Sequence, residues 1–146
     1  MPNVHEVLAG KGSEVVSTLG QVTVHDAVGI MNEQKIGALV VVDEQKQVAG
    51  IFTERDVLRR VVGKQLDPAK TLVSQVMTQD VVCCRPNMPI DDVRVLMKQR
   101  RIRHLPVVEE DGRLAGMISI GDVNAFTANN HEVQLKYLHE YIHGRG

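Results

Sequence analysis

The chain has 146 residues, a net charge of −1, 43% apolar residues and 24% charged residues. That is enough chain for one domain with an ordinary globular balance, and no global field draws it to nucleic acid or to an anionic membrane. No apolar run approaches the ~20 residues of a membrane span, and residues 1–8 lack the basic-then-apolar pattern of a leader, so the chain reads as cytoplasmic.

Aromatic residues make up only 3% and Trp is absent, so Val, Ile, Leu, Met and Ala must fill the core. In chain order, a short strand is expected at about Glu14–Thr18. An acidic start at Asp26 then opens a helix with Ala27, Ile30 and Met31 on one face. The run Ala38–Val42, short and β-branched, reads as a buried strand. A polar turn at Asp43–Gln47 leads to a second strand, Val48–Thr53, and a helix starts after Thr53. Gly63–Thr71, with Asp67 and Pro68, reads as a linker, and Val73–Met77 as a short helical turn.

The pattern then recurs. A short strand is expected at Val81–Cys83, a helix from Asp91-Asp92 with Val93, Leu96 and Met97, and a strand at Leu105–Val108. Asp111-Gly112 marks a hairpin, Leu114–Ser119 the second strand, and a helix follows Ser119. From Asp122 to His143 there is no Gly or Pro, and Val133, Leu135, Leu138 and Ile142 form a stripe, so a C-terminal helix is expected.

The recurrence is a sequence repeat. Thr23–Leu58 laid over Pro89–Asn124, a constant shift of 66, gives 11 identities in 36 positions without a gap. Average composition gives about two or three. The expected fold is therefore α/β (α+β): two β-α-β-β-α repeats packed about a pseudo-twofold axis, because one copy alone is marginal. The organisation reads as residues 1–62 for the first repeat, 63–78 for the linker, 79–128 for the second repeat and 129–146 for a helical extension. A stripe with nothing left to cover points to a partner chain or to packing back on its own domain.

Each second strand ends in the same motif, Gly50-Ile51-Phe52-Thr53-Glu54-Arg55-Asp56 and Gly116-Met117-Ile118-Ser119-Ile120-Gly121-Asp122. A helix mouth with a hydroxyl and a carboxylate suits a phosphate and the two hydroxyls of a ribose. The same pairs, Thr53 with Asp56 and Ser119 with Asp122, also fit a capping box that merely closes the helix start. Arg103 and His104 precede the Leu105 strand, where a guanidinium can fork onto a phosphate. Their counterparts in the first repeat are Gly37 and Ala38. On sequence, the second cleft is thus built for a charged group and the first offers backbone and space.

The tandem copies, the runs Ile36–Val42 and Ile102–Val108 and the two Gly-x-x-[Thr/Ser]-x-x-Asp ends resemble a CBS-domain pair, or Bateman module, over roughly residues 3–143. The likeness is closest to small stand-alone pairs. The resemblance implies adenosine ligands (AMP, ADP, ATP, S-adenosylmethionine or NAD(H)) in clefts between the repeats. It places ribose on Asp56 and Asp122, and the hydroxyl residue on Thr53 and Ser119. Phosphates would fall to Arg103 and His104. Adenine would lie near Ile36, Ala38, Ile102, Pro106, Val24 and Ile118. Gly37 and Ala38 depart from the basic pattern, so Arg55 or a larger ligand such as a dinucleotide is expected in the first cleft, with an AMP-like ligand in the second. It further implies a homodimer and a regulated partner protein, and no catalysis. The alternative is a ligand-free dimerisation or protein-interaction module.

Three other patterns carry less. His139-Glu140-Tyr141-Ile142-His143 matches a zinc-protease motif, yet only three residues follow and no third ligand can come from downstream, so no metal site is assigned. Gly10-Lys11-Gly12-Ser13 lacks the upstream glycine of a phosphate loop. Cys83 and Cys84 are adjacent and read as half-buried strand residues.

Overall fold

The computed structural model describes residues 2–12 and 14–130. The expected C-terminal helix, its stripe and the His139–His143 motif lie outside the described residues.

The first repeat is built from β1 (Ser17–Leu19), α2 (Val24–Gln34), β2 (Ala38–Val42) and β3 (Val48–Thr53), after α1 (Val4–Lys11). Thr23 caps α2, its hydroxyl accepting the Asp26 N–H at 3.1 Å, and Lys35 ends it in the left-handed conformation. β2 is the central strand, parallel to β1 and antiparallel to β3, and every residue of it is buried. That matches its unbroken apolar run. After β3, α3 (Glu54–Asp56) passes directly into a π-helical stretch, Val57–Val62.

The short α4 (Val73–Val76) bridges to the second repeat: α5 (Ile90–Arg100), β4 (His104–Val108), β5 (Leu114–Ser119) and α6 (Ile120–Asn130). β4 and β5 pair in the same register as β2 and β3, and the same irregularity falls between Val41 and Val42 and between Val107 and Val108. The strand expected at Val81–Cys83 shrinks to one parallel bridge, Cys84 to Val107. That bridge is the counterpart of β1, displaced by one residue from the expected run. β1 itself lies further along than the expected Glu14–Thr18.

Two apolar cores result, and each is completed by a segment from before the other repeat. Val73, Val76 and Met77 join the first core with Val24, Ala27, Leu39 and Phe52. Val4, Val7 and Leu8 of α1 join the second with Val93, Leu105, Ile118 and Val123. So residues 4–11, first in sequence order, pack on the second repeat, and the linker's end packs on the first. The backbone pairing is the same in both places. Val24 N–H donates to Thr71 and Val73 N–H to Val22; Ile90 N–H donates to Pro2 and Val4 N–H to Met88.

This exchange explains the repeated glycine. A Cβ on Gly50 would lie 2.6 Å from Met77 Sδ and 2.9 Å from the Thr78 carbonyl, and one on Gly116 would lie 3.0 Å from the Leu8 methyls. Only glycine lets the exchanged segment cross that closely. The hairpin tips tie the repeats together: Leu114 N–H donates to the Lys46 carbonyl and Gln47 Nε2 to the Asp111 carbonyl. No helix among the described residues is long and apolar enough to cross a membrane.

Candidate functional site

Asp56 and Asp122 stand at the ends of β3 and β5, and both close the turn into the following helix. Thr53 N–H donates to Asp56 Oδ2 at 3.0 Å and the Thr53 hydroxyl accepts from Asp56 N–H at 3.3 Å. Ser119 N–H donates to Asp122 Oδ2 at 2.8 Å and the Ser119 hydroxyl accepts from Asp122 N–H at 3.0 Å. The capping boxes are real. They are not the whole arrangement, because each carboxylate also takes a donor from the exchanged segment beside it.

At Asp56 that donor is Thr78, whose hydroxyl reaches Oδ1 at 3.0 Å. Arg60 Nε stands 3.7 Å from the same oxygen, while its Nη1 donates to the Met77 carbonyl at 3.0 Å. The residue is buried. A carboxylate offers about four acceptor positions. Three are taken by Thr53 N–H, the Thr53 hydroxyl and Thr78. One acceptor position remains, on the oxygen nearest Arg60.

At Asp122 the donor is Lys11, at the C-terminal end of α1. Its Nζ donates to Oδ2 at 2.6 Å and to the Met117 carbonyl at 2.9 Å. Burial pushes the Asp122 pKa up, but hydrogen bonds from Lys11 and Ser119 and the Lys11 charge outweigh it and hold the carboxyl below its ordinary value.

A cavity of about 340 Å³ opens beside Asp56, within the range of small-molecule sites. Thr53, Glu54, Arg55 and Asp56 line one side, with Gly37, Ile51 and Thr78, and Arg101, Ile102, Arg103 and His104 line the other. Sequence reasoning divided these candidates between two clefts. The structure brings Gly37 and the Arg103-His104 pair onto the same cavity, because β2 and β4 present their starts to one another across the repeat boundary. Ser119 and Asp122 are not among its lining residues.

The expected adenine wall is only partly at the surface. Ile102 lines the cavity and Ile36 is half-buried. Val24 and Ile118 are fully buried, one in each core, and Ala38 and Pro106 are buried strand residues. Val24 and Ile118 contact core side chains, as their inward register on α2 and β5 requires.

Three arginines, Arg55, Arg101 and Arg103, line the cavity together with Glu54 and Asp56. Arg101 is held there by its left-handed conformation, which ends α5. Burial pushes the His104 pKa down; Asp122 and Glu54 pull it up, while Lys11 and Arg103 push it further down. Its pKa therefore lies below the ordinary imidazole value, which favours the neutral form at pH 7, and it is within electrostatic reach of Asp122 and Glu54. Burial also raises the Cys83 thiol, and burial with the neighbouring Cys83 pushes Cys84 up to about 12, so neither is a thiolate at pH 7.

Lys11, Thr78 and Arg101 were not among the sequence candidates. A signal for the first two exists. Asn3–Leu8 lies over Leu72–Met77 at a spacing of 69, with Val4 on Val73 and Val7 on Val76, not at the 66 that aligns the repeats. The change of spacing hides the exchanged segments from a constant-shift search.

Comparison with known proteins agrees with this architecture. The CBS domain family model matches residues 12–63 and 73–127. The mitochondrial CBS domain-containing protein CBSX3 of Arabidopsis thaliana is 40% identical over 126 residues, 84% of this chain and 61% of that protein, so the match spans under two thirds of the relative. The crystal structure of the CBS-domain containing protein ATU1752 from Agrobacterium tumefaciens superposes with a TM-score of 0.80 at 43% identity, covering 86% of this chain and 99% of that one. The CBS domain pair of protein MJ0100, in complex with 5′-methylthioadenosine and S-adenosyl-L-methionine, shares the fold with a TM-score of 0.78 at 22% identity, over 89% of this chain and 98% of that one. With its two repeats, exchanged segments and paired helix-mouth carboxylates, the chain belongs to the CBS-domain family as a tandem pair.

Proposed function

We propose that this protein is a regulatory module that binds an adenine nucleotide and alters a partner protein in response. The observation that carries the reading is the cavity beside Asp56, where a hydroxyl-bearing carboxylate end from one repeat faces Arg101, Arg103 and His104 from the other. Ribose hydroxyls would use the remaining acceptor position on Asp56 and the Thr53 hydroxyl. The phosphates of AMP, ADP, ATP or NAD(H) would meet the guanidinium groups. Because both repeats contribute walls, a ligand there has different contacts at different repeat angles, which is what a sensor requires. The adenosine compounds bound by the MJ0100 pair support the ligand class. Arg103 and His104 thus serve a ligand held by Asp56, and the Asp122 crevice is a second place for adenosine.

Leu58 and Val62, exposed one turn apart on the π-helical stretch, favour a homodimer. Nothing in the proposed chemistry requires a bond to be made or broken, so the role is binding and not catalysis.

The test is a thermal melt with AMP, ADP, ATP and NADH. A ligand at about 100 times its dissociation constant adds about 2.7 kcal/mol to the folded state. A clear upward shift with at least one of the four is expected, weakened by Asp56→Ala. A melt that none of them moves ends the reading. The second reading, a ligand-free dimerisation module, is favoured by the capping boxes and the burial of Asp56. It expects the same sedimentation with and without nucleotide and no adenosine compound in the mass spectrum of the denatured protein.

A further inference from the structure

Thr78 reaches the first carboxylate because of a glycine. Gly50 carries no side chain, and a Cβ there would lie 2.9 Å from the Thr78 carbonyl. Thr78 can therefore pair with Ile51 on β3, the N–H of each donating to the carbonyl of the other at 2.9 Å. That pairing fixes the Thr78 backbone, and its hydroxyl falls 3.0 Å from Asp56 Oδ1. Thr78 also lines the cavity that opens beside Asp56. A hydroxyl has one proton and two acceptor lone pairs. A bond to a carboxylate is the strongest use of that proton, so what the Thr78 oxygen has left to offer is acceptor only.

Two vicinal hydroxyls bring two protons, and Asp56 has one free acceptor place. It is on Oδ1, since Arg60 Nε at 3.7 Å is too far away to bond that oxygen. The Thr53 hydroxyl stands at the other carboxylate oxygen, 3.3 Å from Oδ2, and already accepts the Asp56 N–H. Asp56 Oδ1 and Thr78 Oγ1 are thus neighbouring acceptors one hydrogen-bond length apart, much as the two oxygens of a vicinal diol are neighbours. We propose that Thr78 is a second ribose-binding residue of this cavity: Asp56 Oδ1 accepts from one hydroxyl of the sugar and Thr78 Oγ1 from the other. The proposal rests on the adenosine-binding reading above and adds a condition to it. With no proton to spare, the pair suits a free diol, and a sugar that lacks either hydroxyl leaves one acceptor unanswered in a partly buried place.

The experiment titrates the full chain with AMP, 2′-deoxy-AMP and 3′-deoxy-AMP and follows the amides of Thr53 and Asp56 by NMR, which keeps the Asp122 end out of the measurement. The wild type is expected to bind AMP about tenfold more tightly than either deoxy analogue. Thr78→Val keeps the shape and removes the hydroxyl. It should bind AMP about tenfold more weakly, and lose the discrimination against one analogue while keeping it against the other. Thr78→Ser should keep the wild-type pattern, and Thr78→Ala takes the place of the valine if that variant does not fold. Were Thr78 only steadying Asp56, or were Thr53 the second acceptor, the valine would leave the ratios among the three ligands unchanged. That result overturns the proposal. So does a serine that behaves like the valine, or a wild type that binds AMP and either analogue alike. All three leave the nucleotide reading intact. If AMP moves neither amide in the wild type, the nucleotide reading fails at this cavity and the proposal with it.

Discussion

Asp56 and Asp122 occupy the same place in the two repeats and close the same turn, yet one is met by a hydroxyl and the other by an ammonium. The cause lies outside either repeat. The segment that wedges into the first core is a helix of four residues, after which the chain goes extended and Thr78 pairs with Ile51 in a β-bridge. The segment that wedges into the second core is a helix of eight residues, long enough to carry a lysine one turn past the last core contact. Duplication fixed the carboxylates; the length of the exchanged helix decides what answers them. The helices after the carboxylates diverge as well, π-helical from Val57 to Val62 but α-helical through Asn130. Arg60 accompanies the π-helical form, reaching back to hold the Met77 carbonyl, and its counterpart at the shift of 66 is the half-buried Phe126.

The largest effect comes from removing one wedge. Deleting residues 1–11 takes Val4, Val7 and Leu8 out of the second core. Each buried side chain is worth roughly 1.5–3 kcal/mol, so the loss for three, about 4.5–9 kcal/mol, rivals the whole stability of a small domain. The second repeat is expected to lose its cooperative urea transition. A truncated chain that melts like the wild type would mean that the exchange contributes little to holding the repeats together.

A glycine pair separates the wedges more finely. Gly50→Ala drives a methyl against the Thr78 carbonyl at 2.9 Å, and backbone cannot step aside cheaply; Gly116→Ala meets only the Leu8 methyls at 3.0 Å, the free end of a side chain. Overpacking costs about 1–3 kcal/mol, with Gly50→Ala expected at or above the top of that range and Gly116→Ala near the bottom. Equal midpoints in urea would contradict the different fit of the two wedges.

Much of this arrangement was legible in the sequence, for a definite reason. β2, β3, β4 and β5 were readable because a buried strand needs an unbroken apolar run and both copies keep it. The capping pairs were readable because their spacing is local. What stayed hidden depends on contacts far apart in the chain. The Val81–Cys83 run is apolar enough for a strand, but only Cys84 finds a partner, Val107. Residues 4–11 carry a helical stripe, but nothing local says that the stripe covers the second repeat. The division of the candidates by repeat failed for Arg103 and His104 because the cavity lies across the repeats, a fact of packing and not of order along the chain. Lys11 was visible only as part of an incomplete phosphate-loop pattern, whereas its place is fixed by Leu8 three residues earlier.

The hairpin tips give a smaller contrast. Lys46 holds φ at 67° where the second repeat has Gly112 at 85°. A side chain in the left-handed region costs about 1 kcal/mol that glycine avoids. Lys46→Gly is expected to raise stability, and with it the thermal midpoint, only slightly, by up to about 0.6 kcal/mol once the added freedom of the unfolded chain is subtracted. The change should leave the Leu114 bond intact, since that bond uses the backbone carbonyl of Lys46. A lower midpoint would mean that the Lys46 side chain itself stabilises the tip.

Acid should produce the gentlest difference between the repeats, and in two steps. His104 has a folded pKa below its ordinary 6.5, so folding binds fewer protons there than the unfolded chain does. Its contribution is complete above 6.5 and is lost as pH falls through the lower folded value. Asp122 behaves alike from a lower start: its contribution is complete above 3.8 and is lost as pH falls through its depressed value. The first repeat has the buried, uncharged Ala38 where the second has His104, so it lacks the first step. Urea midpoints measured from pH 8 to pH 3 should therefore decline beginning below 6.5. His104→Phe should remove the upper part of that decline, and Lys11→Met should shrink the lower part, because without the ammonium the burial of Asp122 is opposed only by Ser119. If the His104 variant keeps the wild-type profile between pH 6.5 and 4, the imidazole is not held neutral by the fold. The cavity would then be lined by a charged imidazole and not a neutral one.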